Sequence, residues 1–334
     1  MTQEPLAGVI ACMLRSHLTP DMLVETLQNV RLENIARILH YRIAGMQQPS
    51  QRDACLGMLN ALSELHALRL LFSPALCEAL RTNGGDDGIV KLLASACDAG
   101  KEDKKLACAP RLACGVALDL SLPDQLRFPS AGLWVARSPS GEELSATVKH
   151  LDGALSFMAQ MHPFGHQIFT RLVSNIVVRH DAGRPQDCWG ASSGIAIGRV
   201  VIVNALAQPD ARVLGEILLH EATHCAIDCA ELHVPLWRTD ELANEAVFLT
   251  SPWSGNELTA HAFAHACIVW AVLLHYWTAC QQHYGVDTGS QARRAYIEKG
   301  FRKLEREMAL RQALAPLSSK ALQAVTLAVQ STRL

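Results

Sequence analysis

The sequence predicts a mainly α fold with a small β-sheet, of the α+β class. Ala and Leu dominate a chain of 334 residues that is 49% hydrophobic and 5% aromatic, and this composition favours helix over strand. Apolar residues recur at helical spacing through the first hundred residues, whereas β-branched runs lie at 175–179 and 198–203. An apolar stretch with helical periodicity follows the second run. We therefore expect a small sheet between two helical regions.

The first hundred residues are predicted to form a helical bundle. One helix begins near Asp21, another spans 55–71, and Pro74 suits the first turn of a third. Pro and Gly residues then interrupt the helical pattern between about 108 and 140, which places a domain boundary within this stretch. We expect a helical domain at 1–125, where a substrate or partner would bind, and a metal-binding catalytic domain at 126–334.

The second half is predicted to contain a helix, two strands and a further helix. Residues 142–161 have helical periodicity, and the two β-branched runs are the predicted strands. Residues 190–194 are only Gly, Ala and Ser, so they are predicted to form a turn between the strands; no Lys-Ser/Thr follows, which excludes a phosphate loop. Asp210 is a suitable N-cap for the last helix. The Gly-rich residues 83–88 are predicted to be a loop.

Charge and cysteine content limit the classes of function. The formal net charge is -2 and no basic run is dense, so we expect no nucleic-acid partner. The chain has 11 cysteines, an odd number, and they lack a repeating spacing. The N-terminus lacks the pattern of a signal peptide. We therefore expect a cytoplasmic protein with free, mostly buried thiols. Residues 266–274 are apolar but too few to span a bilayer, so we expect no membrane partner.

The apolar helix after the second strand contains His220-Glu-Ala-Thr-His224, the HExxH pattern. Residues four apart lie on one face of a helix, so both imidazoles reach one ion, and two neutral nitrogen ligands suit zinc or iron. Glu221 lies beside them and is the candidate catalytic residue, placed to act on a water molecule. The predicted architecture is thus an N-terminal helical bundle followed by a zincin-like HExxH helical domain with a small β-sheet.

A site of this kind needs a third protein ligand, and the sequence offers alternatives. Glu245, within Asn-Glu-Ala, lies at about the spacing that thermolysin-like peptidases use. His265 is the other good candidate, and His261 lies four residues earlier on the same predicted helical face. Cys225 and Cys229 are close to the motif, but they are expected to be small buried residues rather than ligands.

Residues 220–277 resemble the HExxH-motif peptide-modification proteins, which are α-ketoglutarate-dependent HExxH-type peptide β-hydroxylases. The similarity lies in Leu-His-Glu-Ala-Thr-His up to His224, in Ser-Pro-Trp up to Trp253, in the segment that begins at His265, and in Tyr-Trp up to Trp277. The spacing from Trp253 to His265 matches the family without a gap. The resemblance therefore favours His265 as the third metal ligand.

The resemblance implies a non-haem iron(II), α-ketoglutarate-dependent oxygenase of natural-product biosynthesis. Its substrate would be an amino acid, a peptide or a carrier-bound aminoacyl group, hydroxylated at an unactivated β-carbon. His220, His224 and His265 would bind Fe(II), which leaves positions for α-ketoglutarate (2-oxoglutarate) and O2. A guanidinium suits the distal carboxylate of the keto acid, and Arg293 and Arg294 are the candidates. Family members have arginines directly after Pro-Trp, which this chain lacks.

Two other classes of function stay open at this point. A zinc metallopeptidase would bind Zn(II) through His220, His224 and Glu245, with Glu221 as general base. Leu249 occupies the position where such peptidases often have an Asp that orients a histidine. A non-enzymatic scaffold with a structural metal is the third class, but structural zinc sites use four protein ligands.

Overall fold

The protein is described by a computed structural model that covers residues 20–81, 85–99, 110–120, 136–232, 248–309 and 319–333. The predicted mainly α, α+β fold is confirmed. The helices are α1 (Pro20–Ala44), α2 (Pro49–Ala61), α3 (Glu64–Leu71), α4 (Pro74–Arg81), α5 (Gly85–Ala99), α6 (Gly141–Met161), α7 (Pro163–Leu172), α8 (Ala211–Glu231), α9 (Ala260–Tyr284), α10 (Thr288–Ala309) and α11 (Ser319–Ser331). The strands are β1 (Ala117–Asp119), β2 (Ala136–Arg137), β3 (Asn175–Asp181), β4 (Trp189–Ser192), β5 (Arg199–Val203), β6 (Phe248–Thr250) and β7 (Glu257–Thr259).

The main sheet is mixed, with the order β1-β3-β5-β4. Strands β1, β3 and β5 are parallel, β4 runs antiparallel to β5, and β2 pairs antiparallel with the far end of β3. Every residue of β5 is buried, as is usual for a parallel strand covered on both faces. Strands β6 and β7 form a separate antiparallel pair directly before α9.

Helix α8 lies in the middle of the molecule and carries the HExxH motif. It packs against α1, α6, α7, α9 and β4. The Asp210 side chain accepts a 2.8 Å hydrogen bond from the backbone amide of Arg212, which confirms the predicted N-cap. Because neighbours cover α8 on so many sides, its polar side chains can face only other side chains or a cavity.

Three predicted elements differ from the structure. The helix expected over 55–71 is two helices, because Leu62 is extended and ends α2. Helix α5 begins at Gly85, where Asp86 and Asp87 favour its N-terminus. The loop predicted at 83–88 is therefore wrong from Gly85 onward, and residues 83 and 84 lie outside the described residues. The predicted turn at 190–194 is largely strand β4, because pairing with β5 satisfies its backbone despite a composition poor in strand formers.

Contacts cross the predicted domain boundary at 125/126. Strand β1 precedes the boundary and pairs with β3, which follows it. The guanidinium of Arg31 on α1 is fully buried and donates hydrogen bonds to the carbonyl oxygens of Phe72 (2.6 Å), Leu172 (3.1 Å) and Ile197 (2.8 Å). One hydrophobic core extends from α1 to α11. The two predicted domains therefore share a core.

One helix in the described part of the chain, α9, is long and apolar enough to cross a membrane by length and composition. In the structure, 72% of its most apolar window is buried inside the protein, and the core helix of a folded domain meets the same criterion. The cysteines among the described residues form no disulfides, as the sequence predicted.

Replacement of Arg31 by Met is expected to destabilise the fold by about 3 kcal/mol, because three carbonyl groups, two of them in buried hydrogen bonds, lose a charged donor. Urea unfolding followed by circular dichroism measures the change. Arg37→Met is the control, since Arg37 is exposed and donates a hydrogen bond to Asn34 in the preceding helical turn, and its cost should stay below about 0.5 kcal/mol. Equal effects of the two substitutions would contradict the structural role of Arg31.

Candidate metal centre

A cavity of about 510 Å³ lies between α8, β4 with the turn that follows it, and the first turns of α9. His220, Glu221 and His224 face this cavity from α8, and His261 and His265 face it from α9. Both helices are positioned by packing against each other and against α6. The structure thus brings the HExxH motif and the predicted third histidine to one polar cavity.

The two HExxH histidines present nitrogen atoms to a common point. The Nε2 atoms of His220 and His224 are 3.2 Å apart. Nitrogen atoms at this separation subtend about 100° at an ion that lies about 2.1 Å from each, which suits tetrahedral and octahedral centres. Burial lowers the pKa of His220 to about 4, with a smaller contribution from Arg293, and lowers the pKa of His224 well below its usual value. Both rings are therefore neutral, the form that binds metal.

His265 reaches the same cavity from the second turn of α9. Its Nδ1 lies 3.2 Å from Nδ1 of His224, and the two rings are stacked with centroids 5.5 Å apart. An ion uses one nitrogen of each ring, and His224 faces His220 and His265 with different nitrogens. His265 therefore joins an ion held by the two Nε2 atoms only if one of the rings turns about its Cβ–Cγ bond. The ligand set stays a prediction.

Glu221 is buried at the wall of the cavity and points to strand β4. The Ser192 hydroxyl donates a 2.6 Å hydrogen bond to its Oε2 atom. Burial raises the pKa of Glu221 to about 7; the Ser192 hydrogen bond opposes this shift, and the nearby Asp228 carboxylate adds to it. The carboxyl group consequently exchanges a proton near neutral pH, which is the property of a general acid or base.

Glu231, the last residue of α8, was not identified from the sequence. Its carboxylate oxygens lie 2.9 and 3.0 Å from Nε2 of His261, and Oε1 lies 3.3 Å from Nε2 of His265. Burial disfavours the ionised carboxylate, but the two histidines outweigh burial and lower the pKa of Glu231, while Glu231 raises the pKa of His265. Glu231 lies two turns after His224 on the same face of the helix, and this spacing is the sequence signal that could have identified it as a site residue.

The arginines predicted to bind the keto acid are engaged by other residues. Arg293 is paired with the buried carboxylate of Glu216 and lies over the ring of Trp270. Arg294 bonds to Glu298 at 2.7 Å and to Gln281 at 3.0 Å. Neither arginine lines the cavity. Glu245, the alternative third ligand, lies outside the described residues.

The Ser-Pro-Trp motif contributes a layer of aromatic rings behind the histidines. Trp253 stacks on Trp270 with centroids 5.6 Å apart, and Trp270 meets the ring of His220 edge-on at 6.3 Å. The indole of Trp253 donates a hydrogen bond to the Ile297 carbonyl and lies directly against Gly300, where a Cβ atom would stand 2.0 Å from Nε1. The motif therefore supports His220 from behind rather than entering the cavity.

The chain was compared with models of known protein families and with curated proteins, and nothing matches in either comparison. The fold and the cavity define a class of protein: a mainly α protein in which an HExxH helix faces a polar cavity. The similarity of residues 220–277 to peptide-modification proteins stays a sequence-based prediction.

Replacement of Gly190 by Ala is expected to separate β4 from α8 and to cost about 1–3 kcal/mol of stability, as overpacking does. A Cβ atom there would stand 2.8 Å from Ile217 and 3.0 Å from Glu221. Thermal unfolding measures the loss, and metal binding by the purified variant reports on the site. Gly153→Ala is the matched control: its Cβ meets nothing within 4 Å, and it should stabilise helix α6 by about 0.5–1 kcal/mol. A stable Gly190→Ala variant would contradict the close packing described.

Proposed function

We propose that this protein is a non-haem iron(II), α-ketoglutarate-dependent oxygenase that hydroxylates an unactivated carbon of an amino-acid residue in a peptide or on a carrier. The observation that carries the proposal is the third imidazole: His265 approaches His224 to 3.2 Å from a different helix, in the cavity that His220 also faces. Bound iron(II) and α-ketoglutarate would supply the oxidising power. The family resemblance of residues 220–277 supports the same reaction.

The donor set fits a first-row transition-metal ion. His220 and His224 are neutral, and no fourth protein ligand is required, so positions stay open for exogenous molecules. The Glu231 carboxylate lies against His265, and a carboxylate in this position fixes the orientation of a ligating imidazole and increases its basicity. The volume of the cavity is within the usual range for small-molecule sites.

The keto acid would be held mainly through the metal. Among the described residues that line the cavity there is no Arg or Lys, so the distal carboxylate meets no guanidinium there. Arg293 helps to lower the pKa of His220, but it is paired with Glu216 and lies over the ring of Trp270. We therefore expect modest affinity for α-ketoglutarate.

Strand β4 supports an extended peptide as substrate. It is the outer strand of its sheet, with β5 on one side and no further strand on the other among the described residues. Its residues Gly190 to Ser192 line the cavity. An extended peptide that paired with this edge would gain backbone hydrogen bonds. The side chains of the peptide would then point alternately to the two faces of the sheet. A residue on the face toward the cavity would approach the metal.

Anaerobic titration of the Fe(II)-loaded protein with α-ketoglutarate tests the proposal without knowledge of the substrate. A weak visible charge-transfer band that saturates is expected for the wild type, and His265→Ala should abolish it. His180→Ala, a partly exposed histidine on β3 near Glu143, should keep the band unchanged. A wild-type protein without the band would overturn the oxygenase; an unchanged band in His265→Ala would overturn the ligand assignment.

A zinc metallopeptidase is the second candidate, favoured by Glu221. Its buried carboxyl group has a pKa raised to about 7 and lines the same cavity as both HExxH histidines, which suits a base that accepts a proton from water.

If the protein is a peptidase, Glu221→Gln should retain zinc and lose at least about 100-fold in peptide cleavage, the usual contribution of a general base. Cleavage of a generic peptide and zinc content are the measurements. Glu142→Gln, an exposed position at the start of α6, serves as control and should not change cleavage. Hydroxylation by the oxygenase needs no protein base, so it should survive Glu221→Gln. Retained hydroxylation activity in this variant would therefore exclude the peptidase mechanism.

A further inference from the structure

A second group of metal-ligating side chains lies beside the HExxH pair. One ligand atom each from Glu231, His261 and His265 lies within 4.8 Å of the others. The two histidines are four residues apart on α9, so their rings share a helical face, with centroids 4.2 Å apart. Glu231 approaches them from the end of α8. Two buried helices thus hold this group in place, and all three residues face the cavity.

The Nε2 atom of His265 is an unsatisfied polar atom inside this group. The side chain of His265 is only 5% exposed, and Nε2 has no hydrogen-bond partner. It lies 3.3 Å from Glu231, within ion-pair distance, but the geometry does not make a hydrogen bond. A buried nitrogen without a partner costs free energy, and a bound cation would satisfy it together with the Glu231 carboxylate.

We propose that Glu231, His261 and His265 form a second binding site, for a divalent first-row transition-metal ion, next to the HExxH histidines. Two imidazoles and one carboxylate on one side of an ion leave its other positions open. Here those positions face the cavity, where water or a substrate group completes the coordination. The site goes beyond the proposed function, because it does not depend on which reaction the HExxH centre performs.

The nearby cysteines do not belong to this group. Neither Cys225 nor Cys229 is among the described residues that line the cavity. The donors are therefore nitrogen and oxygen, which suit zinc, iron or manganese rather than a soft ion such as copper(I). The carboxylate also offsets part of the charge of the ion inside the protein.

His265 lies between the HExxH pair and the second group and presents a different nitrogen to each. Its Nδ1 faces His224, and its Nε2 faces Glu231. A ring that binds ions through both nitrogens has lost both of its ring protons, so filling the two positions releases protons. The Nε2 atom of His261 contacts both carboxylate oxygens of Glu231. This contact within the second group makes His261 the residue to substitute.

The test is the number of metal ions bound per chain. The full-length protein is stripped with a chelator, titrated with Zn(II), and analysed for bound zinc after equilibrium dialysis; Co(II) titration adds a visible spectrum for each position. We expect two ions per chain in the wild type, one in His261→Ala, one in His220→Ala and two in His180→Ala, the control outside the cavity. Circular dichroism verifies folding, and His261→Gln replaces His261→Ala if that variant does not fold.

The outcomes separate this site from the HExxH centre. One ion in the wild type that His261→Ala retains would refute the second site. One ion that is lost in both His261→Ala and His220→Ala would also refute it, since it would show a single shared centre. One ion that is lost in His261→Ala but kept in His220→Ala would support the second site and refute the HExxH centre instead.

Discussion

Four buried carboxylates on helix α8 are the constraint on which the rest of the structure depends. Glu216, Glu221, Asp228 and Glu231 are each less than 9% exposed. A buried carboxylate without partners costs several kcal/mol, so each of them requires polar groups from another part of the chain. Glu216 is paired with α10, Glu221 with β4 and Glu231 with α9. The order of elements around α8 follows from these pairings.

The same burial sets the chemistry of the histidines. Burial removes water from His220 and His224 and lowers their pKa values, so these rings are neutral. Burial acts on His265 in the same direction, but the neighbouring Glu231 carboxylate outweighs it and raises the pKa of His265. Three imidazoles within a few ångströms thus differ in basicity because only one of them faces an acid.

Local sequence signals predicted the elements that carry the motif, but not the contacts between them. Asp210, the apolar periodicity of α8 and the β-branched strands β3 and β5 were all readable, because each depends on neighbours in sequence. Strand β4 was missed, since Gly, Ala and Ser form a strand here only through β5 and the close surface of α8. The contact of Glu231 with His261 joins two helices through residues 30 apart in the sequence, which periodicity does not encode.

The contact between Trp253 and Gly300 has an evolutionary consequence. No side chain fits at position 300 while an indole occupies position 253, and that indole supports Trp270, which in turn meets His220. A larger residue at 300 would survive selection only beside a smaller one at 253, and the aromatic layer behind the motif would change with it. Related chains should therefore vary at these two positions together or at neither.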